Sequence, residues 1–275
     1  MPAGVTFAVV GHNEVDRLAL ALGQAQAAAG PDDVVWFVDS ASTDGSADRA
    51  AALGAEVVPA PLGKGRAVAT ALDRCSSEYL VLIDGDMEGS SQNIAAALRD
   101  ATRAIEADMI IGSFVEPARR RALTPFLYRP LMRALFPECP SNEVEIPLSG
   151  MRALRTGVDL GLLPPGYGVE SHLNIEYTLG GGVVAAIDLG EYVGPLRGYH
   201  NTAPVAEAVA DAILDCAVAH GRIGVEGRAP WQEWTRGVID ALATVPAPGS
   251  DGHAFLALVA DASAHPLPAK SAVPG

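Results

Sequence analysis

Two carboxylates separated by one glycine, Asp84-Gly85-Asp86, directly follow the apolar run Tyr79-Leu80-Val81-Leu82-Ile83. A buried strand ending in such a turn delivers oxygen ligands to one edge of a sheet. Hard divalent cations such as magnesium or manganese take carboxylate oxygens and complete their shell with water or phosphate. The turn therefore suits a metal diphosphate; the alternative is a solvated turn that opens the next helix. A second acidic stretch, Asp39-Ser40-Ala41-Ser42-Thr43-Asp44-Gly45, follows the apolar residues 34–38. Its hydroxyls and Asp44 can cap a helix, whereas Asp39 ends a strand, where a carboxylate can accept hydrogen bonds from a nucleobase or ribose. Gly63-Lys64-Gly65 sets permissive backbone around one cation at a helix start, which suits a diphosphate although the full P-loop pattern is absent.

Residues of this kind act together only if a scaffold brings strand ends side by side. Segments 5–10, 34–38, 56–58, 79–83 and 108–111 read as strands, and 15–29, 46–53, 64–73 and 92–105 as the helices between them. Short apolar runs alternating with Ala-rich helical periodicity predict βα units, hence an α/β fold with a mostly parallel sheet flanked by helices. In such a sheet ligands bind beyond the carboxyl ends of the strands. Gly11-His12-Asn13-Glu14, the Asp39 loop and the Asp84 turn all fall there. From about Phe114 the alternation fails, until a strand-like segment at 183–189 and helical segments at 205–220 and 231–243. The C-terminal part is thus expected to be helical.

The 275 residues carry a formal net charge of −14, so a nucleic-acid backbone or an anionic membrane would meet repulsion over most of the surface. An anionic ligand must find a local basic patch. Cys75, Cys139 and Cys216 are odd in number and lack zinc-site or disulfide spacing, as expected for buried thiols in a reducing compartment. With no basic segment ahead of an apolar run at the start and no bilayer-length apolar stretch, the expectation is a soluble cytoplasmic protein.

Val9-Val10-Gly11-His12-Asn13-Glu14, the Asp39–Gly45 loop, Gly63-Lys64-Gly65 and Asp84-Gly85-Asp86 resemble, in order, the nucleotide-sugar segments of GT-A glycosyltransferases. The later motifs are more specific. Thr124-Pro125-Phe126-Leu127-Tyr128-Arg129-Pro130-Leu131, Pro147-Leu148-Ser149-Gly150, Gly166-Tyr167-Gly168-Val169-Glu170 and Asp188-Leu189-Gly190 leading to His200-Asn201 resemble the retaining glucosyl-3-phosphoglycerate synthases. The resemblance spans roughly residues 5 to 215.

That resemblance implies a GT-A (Rossmann-like) hexosyltransferase using a nucleotide-sugar donor, most simply UDP-glucose, a magnesium or manganese cofactor and a small acceptor such as 3-phosphoglycerate, with retention of configuration. It implies donor contacts at Gly11, Asn13, Glu14, Asp39, Ser40, Lys64, Asp84, Gly85, Asp86, Leu148, Ser149 and Gly150, metal ligation by Asp86 and His200, and catalytic roles for Asp86, Glu170 and Lys64. Arg119, Arg120, Arg121, Thr124, Arg129 and Met151 fall where the family binds its acceptor, and the arginines reverse the local sign of an acidic chain. Residues 1–113 would form the nucleotide-sugar-binding half, 114–262 the acceptor-binding half of the same domain, and 263–275 a disordered tail. The resemblance also implies a homodimer. Met151 stands where the family carries a glutamate, so a nucleoside or aminocyclitol acceptor of secondary metabolism stays open. So do an inverting GT-A transferase and an inactive nucleotide-sugar-binding protein.

Overall fold

The computed structural model describes residues 4–115, 123–195, 203–243 and 266–269. One sheet organises them, in the order β3-β2-β1-β4-β7-β6-β8-β5. The strands are β1 (Val5–Gly11), β2 (Val34–Ser40), β3 (Glu56–Ala60), β4 (Tyr79–Asp84), β5 (Gly89–Ser90), β6 (Met109–Val115), β7 (Arg152–Arg155) and β8 (Val184–Val193). β3, β2, β1 and β4 run parallel, as do β6 and β8, while β7 enters antiparallel between β4 and β6. The fold is α/β, with a curled, mostly parallel sheet flanked by helices.

Period-two alternation sends successive side chains to opposite faces. Phe7, Val9, Phe37, Val81 and Ile83 pack beneath α1 (Leu18–Ala28) and α4 (Ile94–Ala104). Ala8, Trp36, Val38, Leu80 and Leu82 pack on the other face with residues of α3 (Lys64–Arg74) and α6 (Val169–Leu179). Covered on both sides, these strands are apolar at nearly every position, which is why they are legible as runs. A separate helical cluster joins α5 (Arg129–Leu135), α7 (Ala203–Ala219) and α8 (Arg228–Ala243) around Trp231 and Trp234. The short α2 (Ser46–Ala52) completes the set.

Boundaries differ from expectation where side chains claim the backbone. The first helix begins at Leu18 rather than at 15, because the Glu14 and Val15 amides donate to Ser46 Oγ and Asp44 Oδ2 across the loop. The helix expected from 92 starts at Ile94, with Asn93 as its cap accepting from the Ala96 amide at 2.9 Å. Strands β5 and β7 and helices α5 and α6 are additions to the sequence reading, and β8 runs on to Val193. Of the expected tail, only 266–269 are described.

Candidate active site

The carboxyl ends of β1, β2 and β4 lie side by side, with Gly11 in register with Asp39 and Val10 with Asp84. They open on a cleft of about 370 Å³ lined by Gly11, His12, Glu14, Ser40, Lys64 and Asp84-Gly85-Asp86, and by Gly166 and Tyr167 opposite. The Gly85 amide donates to the Val10 carbonyl at 2.8 Å, and a Cβ at Gly85 would lie 2.9 Å from that oxygen. The acidic turn therefore stays flat against β1.

Lys64 is the hub. Its Nζ lies 3.0 Å from Asp84 Oδ1 and 2.7 Å from Glu170 Oε1, and the Glu170 side chain is only 6% exposed. Burial pushes the Lys64 pKa down, but the Asp84 and Glu170 carboxylates outweigh it and hold the ammonium well above the usual lysine range. Gly150 covers the pair: a Cβ there would sit 2.3 Å from Asp84 Oδ1 and 2.5 Å from Lys64 Nζ. Gly63, at φ +129°, and Gly65 bring the Lys64 turn against the Pro165 and Pro164 carbonyls, where a Cβ would collide at 2.3 and 1.8 Å. These contacts join the Lys64 turn to the Gly166-Tyr167-Gly168 segment that leads into α6 and Glu170.

The rim is tied by polar side chains. His12 Nδ1 donates to the Ser40 carbonyl at 2.8 Å, and Ser40 Oγ accepts from the Gly63 amide at 2.9 Å. Asn13 adopts a left-handed φ of 57°, which suits its residue type, and its Oδ1 accepts from the Thr43 amide at 2.8 Å. Asp39 is buried and accepts from the Ser42 amide at 3.2 Å.

The remaining expected residues divide. Ser149 is buried beside Gly150, Leu148 packs on the helical cluster, and the Met151 side chain is fully buried in the core rather than presented to the cleft. Thr124 is buried in a single π-helical turn, 124–128. Arg129 Nη2 donates to the Val144 carbonyl at 2.8 Å. Arg119, Arg120, Arg121 and His200 lie outside the described residues.

Sequence reasoning missed Arg152. It is fully buried, and its guanidinium donates to the Ser149 carbonyl at 2.6 and 3.0 Å, to the Pro147 carbonyl at 3.2 Å and to Asn174 Oδ1 at 3.1 Å. Asn174 Nδ2 in turn donates to Tyr128 Oη at 2.8 Å and to the Pro147 carbonyl at 2.9 Å. This network fixes the Pro147–Gly150 turn from below. Its only trace in sequence is an arginine at an inward position of a short strand.

The cleft lies at strand ends within a Rossmann-like sheet, and residues 6–156 match the family model for glycosyl transferase family 2. The chain belongs to that family, and its fold is GT-A. Among solved structures it is similar to glucosyl-3-phosphoglycerate synthase from Mycobacterium tuberculosis, in complex with Mn2+, UDP and phosphoglyceric acid, at 26% identity over 78% of each chain with a TM-score of 0.70. The complex of that enzyme with Mg2+ and UDP matches at 26% identity, 78% of this chain, 79% of that chain and a TM-score of 0.68. Mannosyl-3-phosphoglycerate synthase from Rubrobacter xylanophilus shares the fold at 23% identity, covering 81% of this chain and 76% of that one, with a TM-score of 0.72. No protein of curated function has a sequence that matches. Among the described residues, no helix is long and apolar enough to cross a membrane.

Proposed function

We propose that this glycosyltransferase moves a hexose, glucose from UDP-glucose, to a small anionic hydroxyl acceptor such as 3-phosphoglycerate, with retention and with a divalent cation. The observation that carries the reading is the charge balance around Lys64. Asp84 and Glu170 share one ammonium, and Asp86 adds a third carboxylate to the same wall. A donor diphosphate would meet net repulsion there unless a divalent cation came with it. The hard oxygen donor of Asp86, with His200 as the second expected ligand, fits magnesium or manganese, the ions bound with UDP in the mycobacterial enzyme. When bound, such a cation offsets the charge that develops on the leaving phosphate.

The chain's own groups have separate tasks. Lys64 exchanges part of its contact with Asp84 for a phosphate oxygen of the donor and stabilises the departing diphosphate. Glu170, buried at the first turn of α6, accepts hydrogen bonds from the sugar and holds the ring across the cleft. Gly150, having no side chain, lets the Pro147–Gly150 turn pack directly on Lys64 and Asp84 and hold both against the cleft wall. In a front-face reaction the leaving phosphate takes the acceptor proton, so no paired hydrolase carboxylates are required. Arg119, Arg120 and Arg121 are the acceptor-anion candidates, because Arg129 is engaged by Val144 and Arg133 by Glu143 at 3.1 Å.

The test is a turnover assay with UDP-glucose and 3-phosphoglycerate, with and without Mg2+ or Mn2+, followed by NMR of the product's anomeric proton. An α-linked product whose formation stops with EDTA is expected. A β-linked product, undiminished activity in EDTA, or a neutral best acceptor would overturn the corresponding part. Nucleotide-sugar binding with no turnover on any acceptor would favour the inactive binding protein.

A further inference from the structure

Away from the cleft, the packing of α6 on α7 gathers four side chains of metal-ligating type that the proposed reaction does not use. His172 and Glu176 are one turn apart on α6, so they share a face. Cys216 on α7 meets that face, and His220 follows it by one turn at the end of the helix. The ligand atoms of His172, Glu176 and Cys216 all lie within 4.8 Å of one another. His220 Nε2 lies 2.8 Å from Glu176 Oε1 on the more exposed side.

Two features go beyond proximity. First, His172 Nε2 sits 2.7 Å from the Leu160 carbonyl. A carbonyl can only accept, so Nε2 carries the hydrogen and the Nδ1 lone pair points the other way, at Cys216 Sγ, 3.5 Å distant. A carbonyl holding the far nitrogen of an imidazole is the usual companion of a metal-bound histidine, because it fixes tautomer and ring orientation before the ion arrives. Second, one edge of the site already has the length a zinc ion needs. With Zn–S near 2.3 Å and Zn–N near 2.05 Å, the sulfur-to-nitrogen edge of a tetrahedron is about 3.5 Å. The Cys216–His172 separation matches it, and the Glu176 carboxylate, within 4.8 Å of both atoms, closes in by a side-chain adjustment.

We propose that His172, Glu176 and Cys216 form a binding site for a thiophilic divalent cation of the Zn2+ type, with His220 holding the Glu176 carboxylate from outside. The set of one thiolate, one carboxylate and imidazole nitrogen suits zinc and disfavours magnesium, manganese and calcium, which prefer oxygen. The site and the cleft would therefore sort their ions by chemistry. Loading is a ligand exchange without redox change: the Cys216 thiol gives its proton to solvent as the metal–sulfur bond forms. The ion would clamp α6 to α7, and α6 is the helix that carries Glu170 in its first turn. This assignment stands independently of the donor and acceptor proposed above.

The test uses the full chain, stripped with a chelator and titrated with Co2+ as a spectroscopic probe. One equivalent should give a thiolate-to-cobalt charge-transfer band and tetrahedral visible bands, both displaced by Zn2+. Zn2+ should also raise Tm by about 5 °C or more at a hundredfold excess over Kd. Cys216→Ser should abolish the band and the Tm shift while Cys75→Ser keeps both. His172→Gln supplies a second reading should Cys216→Ser fold poorly. Binding of UDP with Mg2+ should be the same in Cys216→Ser as in the unsubstituted chain, which separates this site from the cleft. Absence of the band in the unsubstituted chain, or its survival in both variants, would overturn the assignment.

Discussion

Lys64 and Arg152 lie on opposite sides of one turn, Pro147–Gly150, and their charges are met in opposite ways. Lys64 touches the Gly150 side and faces two carboxylates; Arg152 holds the Ser149 and Pro147 carbonyls and, among the described residues, forms no ion pair. Burial acts on both to disfavour the cation. For Lys64 the carboxylates reverse the outcome, whereas for Arg152 burial prevails over the more distant pull of Glu170 and the pKa falls below the usual arginine value. An ammonium between two carboxylates at a cleft can trade partners with a ligand. A guanidinium fork saturated by backbone carbonyls cannot, and serves as scaffold.

The contrast can be broken at three points. Arg152→Met should have the largest effect, about 3–5 kcal/mol of lost stability by urea denaturation, because the buried Ser149 carbonyl and Asn174 Oδ1 lose their donor and the Pro147 carbonyl keeps only Asn174. Arg152→Lys should recover less than half of that loss, since one ammonium cannot span the three acceptors. A neutral Arg152→Met would show that the turn holds itself.

Lys64→Met should cost less, about 1–2 kcal/mol, since Asp84 lines the cleft and can hydrate when its partner is removed. The sign of its pH dependence is fixed. A lysine whose folded pKa is raised above its ordinary 10.5 contributes fully below that value and loses its contribution as pH rises beyond it. The difference between Lys64→Met and the unsubstituted chain should therefore stay flat from about pH 7 to 9 and shrink in more alkaline buffer. The same variant should weaken UDP binding at least tenfold by calorimetry, about 1.4 kcal/mol. Unchanged UDP affinity would remove Lys64 from the donor site.

Tyr128→Phe should sharpen the scaffold side with the smallest effect, about 1 kcal/mol. The phenol donates to Ser141 Oγ at 2.9 Å and accepts from Asn174, but Asn174 keeps its bond to Pro147. Melting should shift by only a few degrees with UDP affinity unaltered, whereas a loss of UDP binding would make Tyr128 part of the site rather than its support.

The cleft was readable because local signals coincide there. β1, β2 and β4 are buried on both faces, so they appear as apolar runs, and each ends at polar residues that strand direction alone carries to one edge. The second half gave motifs but not geometry. Arg152-Ala153-Leu154-Arg155 contains no apolar run, yet it is β7, because one arginine is buried on carbonyls and the other pairs with Glu78 and Asp108. That Gly150 rests on Lys64, or that Met151 turns into the core, follows from the antiparallel entry of β7. No spacing rule in the sequence encodes that entry.

The position of β7 also orders events in time. It lies between β4 and β6, both of which precede it in the chain. During synthesis the ribosome releases two finished strands with a one-strand gap between them, which β7 fills before β8 emerges to complete the far side of the sheet. Until residues 152–155 emerge, β4 and β6 each present an unpaired apolar edge of the kind that recruits foreign strands. The nascent chain is thus exposed to aggregation at its centre in the interval between its first half and the short arginine-bearing strand that fills the gap.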